Sequence, residues 1–527
     1  MKRCIKKSFF LPVFLFSSLF AFAEGQTVQQ DFLQNPEYSR LSELLTGYLS
    51  NDLDLKKAVL TAQSKALSLK SAEIQNGIDV SISTGNISVT TDVSGKSTVT
   101  ASPSLSVDFP MVSDASVSVS IPYTVEDGSS YVSAGSVAGT VGIISSSAKE
   151  REVELLKAER SYTEAKRSVR ECALTAEKEF YENLKKLYNY AISIHTAKND
   201  LYDDSLDLRV LETEGYSKTS AKYRQALLKV KGDERDVQEQ QRLLEKETAV
   251  FAMKCGKEFA RTSESFDEKR EKGEEGSDYN QEAAGEAAYK AAIEFLPDAI
   301  PAVKEEQIFD YSEDDYTSVE SSNWDKTIAE LERKADTAFS MSATGEYKFN
   351  STQSSYDDAG AKLNFDWKGL SASAGFYVPT GNNLLPQNEK SYVTKNDKPY
   401  FQFGVSVSPN EWRLWKIQKE QDKLDEQTED IAIKAARDDY ETDVLDKVST
   451  FHDIKWSENS YADQLDMYTQ LAADMEKWYS QGLVTESDLN DAVNNREKAR
   501  LNVMLNAIDL LIYNDEVKLL FNTEDSE

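Results

Sequence analysis

Two aspartates three positions apart, Asp488 and Asp491, follow a glycine, Gly482, and a threonine, Thr485. Carboxylates at that spacing share one face of a helix. In a symmetric assembly they would stack as acidic rings, a place to pass or hold cations. Gly482 permits the φ > 0 conformation that reverses a helix. Thr485 can cap the helix that follows, with Asp488 as the acidic partner three residues on. Capping alone would account for Asp488; Asp491 is less easily explained that way. Other chemistry is scarce. The chain has 2 histidines, His195 and His452, both mid-helix and without an assigned role, and 3 cysteines with no CxxC spacing. A zinc site or a Cys/His pair therefore has little material. Carboxylates are plentiful, but none stands in a recognisable pocket motif. No catalytic, cofactor-binding or metal-binding residue is assigned, and the chain is not expected to be an enzyme.

The composition suits long solvated helices better than a large dry core: hydrophobic residues make up 40%, charged residues 29%, and only 11 of 527 residues are proline. Lys2, Arg3, Lys6 and Lys7 precede an apolar run from Phe9 to Phe22, and Ala21–Ala23 reads as a cleavage site. Residues 1–23 are thus expected to be a signal peptide, the run being short for a membrane span. No later stretch approaches a spanning helix, which leaves a periplasmic protein, a secreted one, or a β-barrel. The formal net charge of -31 argues against nucleic acid or an anionic surface as partner.

Around these residues the same organisation occurs twice. A helix leads into a strand-rich block, and a very long helix follows, broken once by glycine. In the first copy, Leu53 to Gln75 carries apolar residues at helical spacing. Then Asp79–Thr84, Ser104–Phe109 and Ser116–Ile121 alternate apolar and polar residues. In the second, Ala338–Tyr347, Lys362–Trp367, Ser371–Val378 and Tyr400–Val407 do the same. Ser, Thr and Asp at the polar positions fit barrel strands, lipid on one face and water on the other, although a soluble sandwich also alternates. Short turns at 110–114 and 368–369 face longer polar connections at 350–360 and 380–398. The pattern predicts up to four strands per block and eight per chain.

From Ser147 to about Thr213 there is no proline and no glycine, and apolar residues recur in steps of three and four. Such a helix is roughly 100 Å long. After Gly215 a return helix runs to about Met253. The second copy repeats this from Trp412 to Ser480, then Gly482, then a return helix to Leu520. Each return helix is only about 55 Å long, so another helix must cover the rest of each long partner. Tyr38–Gln75 has the length to do so in the first copy. In the second, Trp324–Thr337 is shorter, and Gln281–Phe295 is expected to supply the remainder. The predicted division is a first repeat over 24–255 (strands about 78–145, tip at 215), an acidic linker over 256–323, a second repeat over 324–522 (strands about 338–409, tip at 482) and a tail over 523–527. Cys172 and Cys255 lie 43 before and 40 after Gly215. Two readings stay open for them: a disulfide tying the upper end of the first hairpin, or two buried thiols.

The segment Tyr479 to Ala492, with Gly482, Leu483, Val484, Thr485, Asp488 and Asp491, resembles the helix-turn-helix tip of the outer membrane efflux protein family, the TolC-like outer membrane factors. Arg496 to Asn502 continues the likeness, and Gly215–Thr219 is its weaker first copy. The resemblance covers nearly the whole mature chain. It implies an α+β membrane protein: an outer-membrane β-barrel contribution on long antiparallel periplasmic coiled-coil hairpins, in two structural repeats. It implies a homotrimer in outer-membrane lipid, with a pore constriction at Asp488 and Asp491, Tyr479 in the gate network, and tips at Gly215, Thr219, Gly482, Leu483, Val484 and Thr485 that meet a periplasmic adaptor protein and an inner-membrane pump. Val484 stands where the best-known member has an arginine, and Ala221 where it has an aspartate. Closure would then use other contacts, such as Lys222 or Arg224. That member's barrel has four strands per chain, against up to eight here.

The expected function is a passive exit duct of a tripartite efflux or type I secretion system, for small molecules or polypeptides. The alternative is a structural or adhesive cell-envelope protein with a helical stalk and a β head.

Overall fold

The computed structural model describes residues 36–110, 114–126, 129–132, 134–144, 146–261, 281–337, 339–350, 357–381 and 398–522. The predicted signal peptide, the tail over 523–527, most of the turn at 110–114, most of the connections at 350–360 and 380–398, and linker positions 262–280 lie outside them.

In chain order the elements are α1 (Ser39–Asn51), α2 (Leu53–Gln75), β1 (Asp79–Ser83), β2 (Ser88–Thr91), β3 (Ser97–Ala101), β4 (Ser104–Phe109), β5 (Ala115–Ser120), β6 (Tyr123–Glu126), β7 (Ser129–Val132) and β8 (Ala134–Ile144). Then come α3 (Ser146–Thr213), α4 (Ala221–Lys254), α5 (Gln281–Phe295), α6 (Thr317–Thr337), β9 (Ser340–Asn350), β10 (Asp357–Trp367), β11 (Leu370–Gly381), β12 (Tyr400–Val407), α7 (Pro409–Ser480) and α8 (Glu486–Leu520). Two compact units divide the chain, one holding residues 61–165 and 320–436 and the other the remainder; α2, α3, α6 and α7 contribute to both. Among the described residues no helix is long and apolar enough to cross a membrane.

The first of these units is built on one antiparallel sheet in the order β1-β4-β5-β8-β9-β10-β11-β12, four strands from each half of the sequence, joined where β8 meets β9. Period-two alternation and the observed register sort the side chains into rows. Val80, Val107, Val117, Gly139, Gly345, Ala361, Phe376 and Phe401 form one row across all eight strands. The neighbouring row, on the other face, is Asp79, Asp108, Ser116, Thr140, Thr344, Lys362, Gly375 and Gln402. The hydroxyls of Thr140 and Thr344 pair at 3.2 Å where the halves meet. The apolar face is not covered by any of the described residues: Val80, Val117, Phe376, Phe401, Phe403 and Val405 are all exposed.

Five strands escape the sequence reading: β8, whose glycines and alanines hide its alternation, and four short ones. β2, β3, β6 and β7 form a second sheet, inserted between β1 and β4 and between β5 and β8. Each has four or five residues rich in Ser and Thr, too short and too polar for alternation to stand out.

In the helical unit, α3 and α4 form an antiparallel hairpin. Asp204 pairs with Lys229, Lys186 with Glu247, and the Phe180 ring packs tilted against Phe251 at 5.3 Å. The return helix of the first copy is completed by α1, whose Gly47 lies so close to the Cys255 carbonyl that a Cβ there would sit 2.2 Å from it. In the second copy α6 takes over where α8 stops: Tyr316 bridges to Phe521, and the Thr317 hydroxyl donates to the Leu520 carbonyl at 3.0 Å. This corrects the expectation that Gln281–Phe295 would supply the missing length. The lead helix begins at Thr317, seven residues earlier than its apolar pattern suggests, and α5 packs on the first copy instead. There Lys198 and Gln241 both bind Glu286.

The cysteines give a second correction. Both are free thiols, Cys255 buried and Cys172 half-buried. The α3–α4 pairings put Cys172 opposite position 260 or so, about 8 Å along the helix axis from Cys255. A disulfide needs Cα atoms within about 7 Å and Cβ vectors that face each other. Counting from the glycine overlooked that the turn is centred one to two residues past it.

Candidate functional site

The hairpin tips are set by local sequence. After α3, Gly215 takes φ 81° and Ser220 caps α4, its side chain accepting from the Tyr223 amide. The capping residue is thus Ser220, next to the predicted tip residue Thr219, whose own amide donates to Ser217. The Tyr223 hydroxyl donates to Glu212 at 2.8 Å across the turn. Lys222 lies over the Tyr216 ring at 4.9 Å, so it is engaged within its own tip.

At the second tip Gly482 takes φ 70°. Thr485 caps α8 in a reciprocal capping box: its hydroxyl accepts from the Asp488 amide at 3.2 Å, while the Asp488 carboxylate accepts from the Thr485 amide at 2.9 Å. These bonds hold the Asp488 carboxyl below its ordinary range, the Thr485 hydroxyl contributing most. Asp491 is different. Burial pushes its carboxyl up, Asp203 and Asp488 push the same way, and Lys498 opposes them. Two aspartates on one helix face therefore differ in electrostatic character: Asp488 is ionised and engaged in capping, whereas Asp491 sits against another carboxylate. Tyr479 and Leu483 are exposed at the turn.

Asp203 and Tyr202 of α3 are residues the sequence reading missed. The Ser487 hydroxyl donates to Asp203 at 3.3 Å. The Tyr202 phenol is pushed up by burial and by the nearby Glu486. Nothing local marks these positions; only the antiparallel register of α3 on α8 brings them to the second tip. That register is pinned by Lys185 with Asp509 and Lys178 with Glu516. It also sets the second tip back from the first by seven residues or so, about 10 Å. His195 Nδ1 donates to the Asn494 side-chain oxygen at 3.1 Å, and its Nε2 accepts from the Tyr289 hydroxyl at 3.0 Å, tying α3, α8 and α5 together. Burial lowers its pKa. Among the described residues no group of three or more His, Cys, Asp or Glu could hold a metal ion.

The chain is similar to the outer membrane protein VceC of Vibrio cholerae, with 11% identity, 92% of this chain and 97% of that one covered, and a TM-score of 0.44. It is also similar to the MtrE outer membrane channel of Neisseria gonorrhoeae, with 12% identity, 91% and 88% covered, and a TM-score of 0.46. A third likeness is to the CmeC outer membrane channel of Campylobacter jejuni, with 11% identity, 92% and 87% covered, and a TM-score of 0.40. No curated protein sequence matches. Two models of one family fit successive parts of the chain, and the chain belongs to that family: a TP096X N-terminal domain over residues 44–270 and a TP096X C-terminal domain over residues 301–524.

Proposed function

We propose that the chain is one subunit of an outer-membrane exit duct, its sheet forming part of a β-barrel wall and its hairpins reaching into the periplasm. One observation carries this reading. The eight-stranded sheet has an apolar face that none of the described residues covers and an opposite face of Ser, Thr, Asp, Lys and Gln. A soluble sandwich would bury its apolar face against a second sheet. A barrel wall turns that face to lipid and the polar one to water. Trp367 and Trp412, both exposed, stand beside the junction of strands and helices, where amphipathic rings favour a membrane interface.

The duct is a homotrimer in outer-membrane lipid, joined at its tips (Gly215, Thr219, Gly482, Leu483, Val484 and Thr485) to an adaptor protein and through it to an inner-membrane pump. It serves export of small molecules or polypeptides. Asp488 and Asp491, with Tyr479 beside them, form its acidic constriction. Purified protein in a planar bilayer is expected to conduct with cation preference. Neutralising both aspartates, Asp488→Asn with Asp491→Asn, should reduce that preference several-fold while leaving the particle intact. Conductance with no response to the double variant would remove the constriction; absence of any conductance would remove the duct.

The lipid-facing assignment has its own test. Leu363 on β10 lies on the apolar face and Asn364 on the polar one. Leu363→Arg should cost about 2–4 kcal/mol at the bilayer midplane and block insertion into lipid vesicles, whereas Asn364→Arg should insert normally. Equal insertion of both would contradict the orientation.

A further inference from the structure

The small sheet, in the order β2-β3-β6-β7, repeats the order β1-β4-β5-β8 of the large one, and each short strand is the sequence neighbour of the strand it stands over. The register carries on as well. In the large sheet Ser104 lies opposite Ser120; three residues further along both strands, in the small sheet, Ala101 lies opposite Tyr123. Between these pairs the Ile121 amide donates to the Pro103 carbonyl at 3.0 Å. β3 with β4 and β5 with β6 are therefore one antiparallel ribbon. Pro103 and Pro122, which have no amide to donate, mark the break in it. On the β1 side one residue is gained, since Ser83 lies opposite Ser104 and Ser88 opposite Thr100. Gly85 stands within that step at φ 63°, and a Cβ on it would sit 2.1 Å from the Ser102 carbonyl oxygen, as at a bulge.

A kept register keeps the faces. Val89, Val99 and Val125 form one apolar row of the small sheet, and Ala101, Tyr123 and Val132 the next. Leu105 opposite Val119 and Val107 opposite Val117 continue the same face into the large sheet. The other face carries Ser88, Thr100 and Thr124 in one row and Thr90, Thr98 and Glu126 in another.

Strand length says what meets the apolar rows. All eight strands of the large sheet have one end at a helix or at the short turns 110–114 and 368–369. From that end β8, β9, β10 and β11 run for 11 or 12 residues and β12 for 8, close to the roughly 9–11 that cross a bilayer at a barrel's tilt. β1, β4 and β5 stop after 5 or 6. Ending there, they would leave irregular backbone in hydrocarbon, where its polar groups find no partner. Continued by β2, β3 and β6, they extend over 79–91, 97–109 and 115–126, each 12 or 13 residues long.

Resting on the duct reading for its setting, we infer that the small sheet is the outer half of the lipid-facing wall on the first repeat's side. The occupant of its apolar face is the acyl-chain layer of the bilayer, which meets Val99, Ala101, Tyr123 and Val132. Its hydroxyl face, with Thr98, Thr100 and Thr124, borders the water inside the duct.

Spin-label accessibility of the full-length protein in phosphatidylcholine vesicles tests this. Val99→Cys, Thr100→Cys, Ala101→Cys and Leu363→Cys are made singly on a Cys172→Ala background, Cys255 being buried, and each is labelled with a nitroxide. Labels in Val99→Cys and Ala101→Cys are expected to favour oxygen over a water-soluble nickel chelate several-fold, as in Leu363→Cys, and the label in Thr100→Cys to show the reverse. The inference is overturned if Val99→Cys and Ala101→Cys favour the nickel chelate while Leu363→Cys favours oxygen. The small sheet then stands in water, and the duct reading survives. A preference for oxygen in Thr100→Cys would overturn the assignment of faces. A preference for the nickel chelate in Leu363→Cys would take the large sheet out of lipid as well, and the duct reading would fall with the inference.

Discussion

Replacing Phe180 by alanine is expected to destabilise the helical unit by about 3–5 kcal/mol, the range for truncating a fully buried aromatic ring. Phe180 has no exposed surface. It lies on α3 where three helices meet: its ring is 5.7 Å from Tyr48 of α1, 5.3 Å from Phe251 of α4 and 5.3 Å from its neighbour Tyr181. The pairs with Tyr48 and Tyr181 are edge-to-face, which adds to the area term. Truncation would leave a cavity at the place where α1 takes over from α4, and large aromatic neighbours on fixed helices cannot collapse into it. Leu228→Ala, at a site 70% exposed, is the control and should change stability by no more than about 0.5 kcal/mol. Urea unfolding followed by circular dichroism would show the difference as a lower midpoint at unchanged slope. Equal midpoints for the two variants would mean that the junction of α1, α3 and α4 is not a cooperative core.

Lowering the pH from 8 toward 5 is expected to stabilise the helical unit, and Asp515→Asn to remove most of that effect. Glu177 of α3 and Asp515 of α8 are both buried, and one Asp515 oxygen has no hydrogen-bond partner. Burial pushes the Asp515 carboxyl well above its ordinary range; Glu177 and Glu516 push the same way, while the Lys518 and Lys178 ammonium groups oppose them. Glu177 is raised by burial too, against Lys518 and a hydrogen bond from the Tyr181 hydroxyl. For both groups the folded pKa exceeds the unfolded one. As pH rises, the unfolded chain gives up these protons first, so stability is fully present below about pH 4 and is lost as pH rises through the folded values. Asp233, pushed to about 6 by burial and by its bond to Asp204, adds to the same trend between its unfolded value and about pH 6. Carboxylates held low by cations act in the opposite sense. Glu247, beside Lys186, contributes above about pH 4 and loses it below. An asparagine at 515 stays neutral at every pH, and its amide can donate where the carboxylate had nothing to accept. The variant should therefore be more stable at pH 8 by about 1–3 kcal/mol, the usual cost of an unsatisfied buried polar atom. A variant that loses stability at pH 8, or keeps the wild-type slope, would show that the buried pair does not govern this response.

The sequence by itself determined the elements that rest on local rules. A proline-free stretch with apolar residues in steps of three and four has to be a long helix, and α3 runs from Ser146 to Thr213. Gly482 and Thr485 dictate a turn and a capped helix because only a few residue types tolerate φ > 0 or bond an orphan amide. Seven of the eight strands of the large sheet were legible from alternation; β8, where glycine and alanine interrupt the pattern, was not. What depended on register was decided by the tertiary structure. Asp203 meets the second tip only because α3 slides antiparallel along α8 to that height. Cys172 misses Cys255 by about 8 Å because the turn is not centred on its glycine. α5 joins the first copy because its Glu286 and Tyr289 find Lys198, Gln241 and His195 there. Spacing along a chain fixes which residues share a face; which face stays bare depends on where every other element packs.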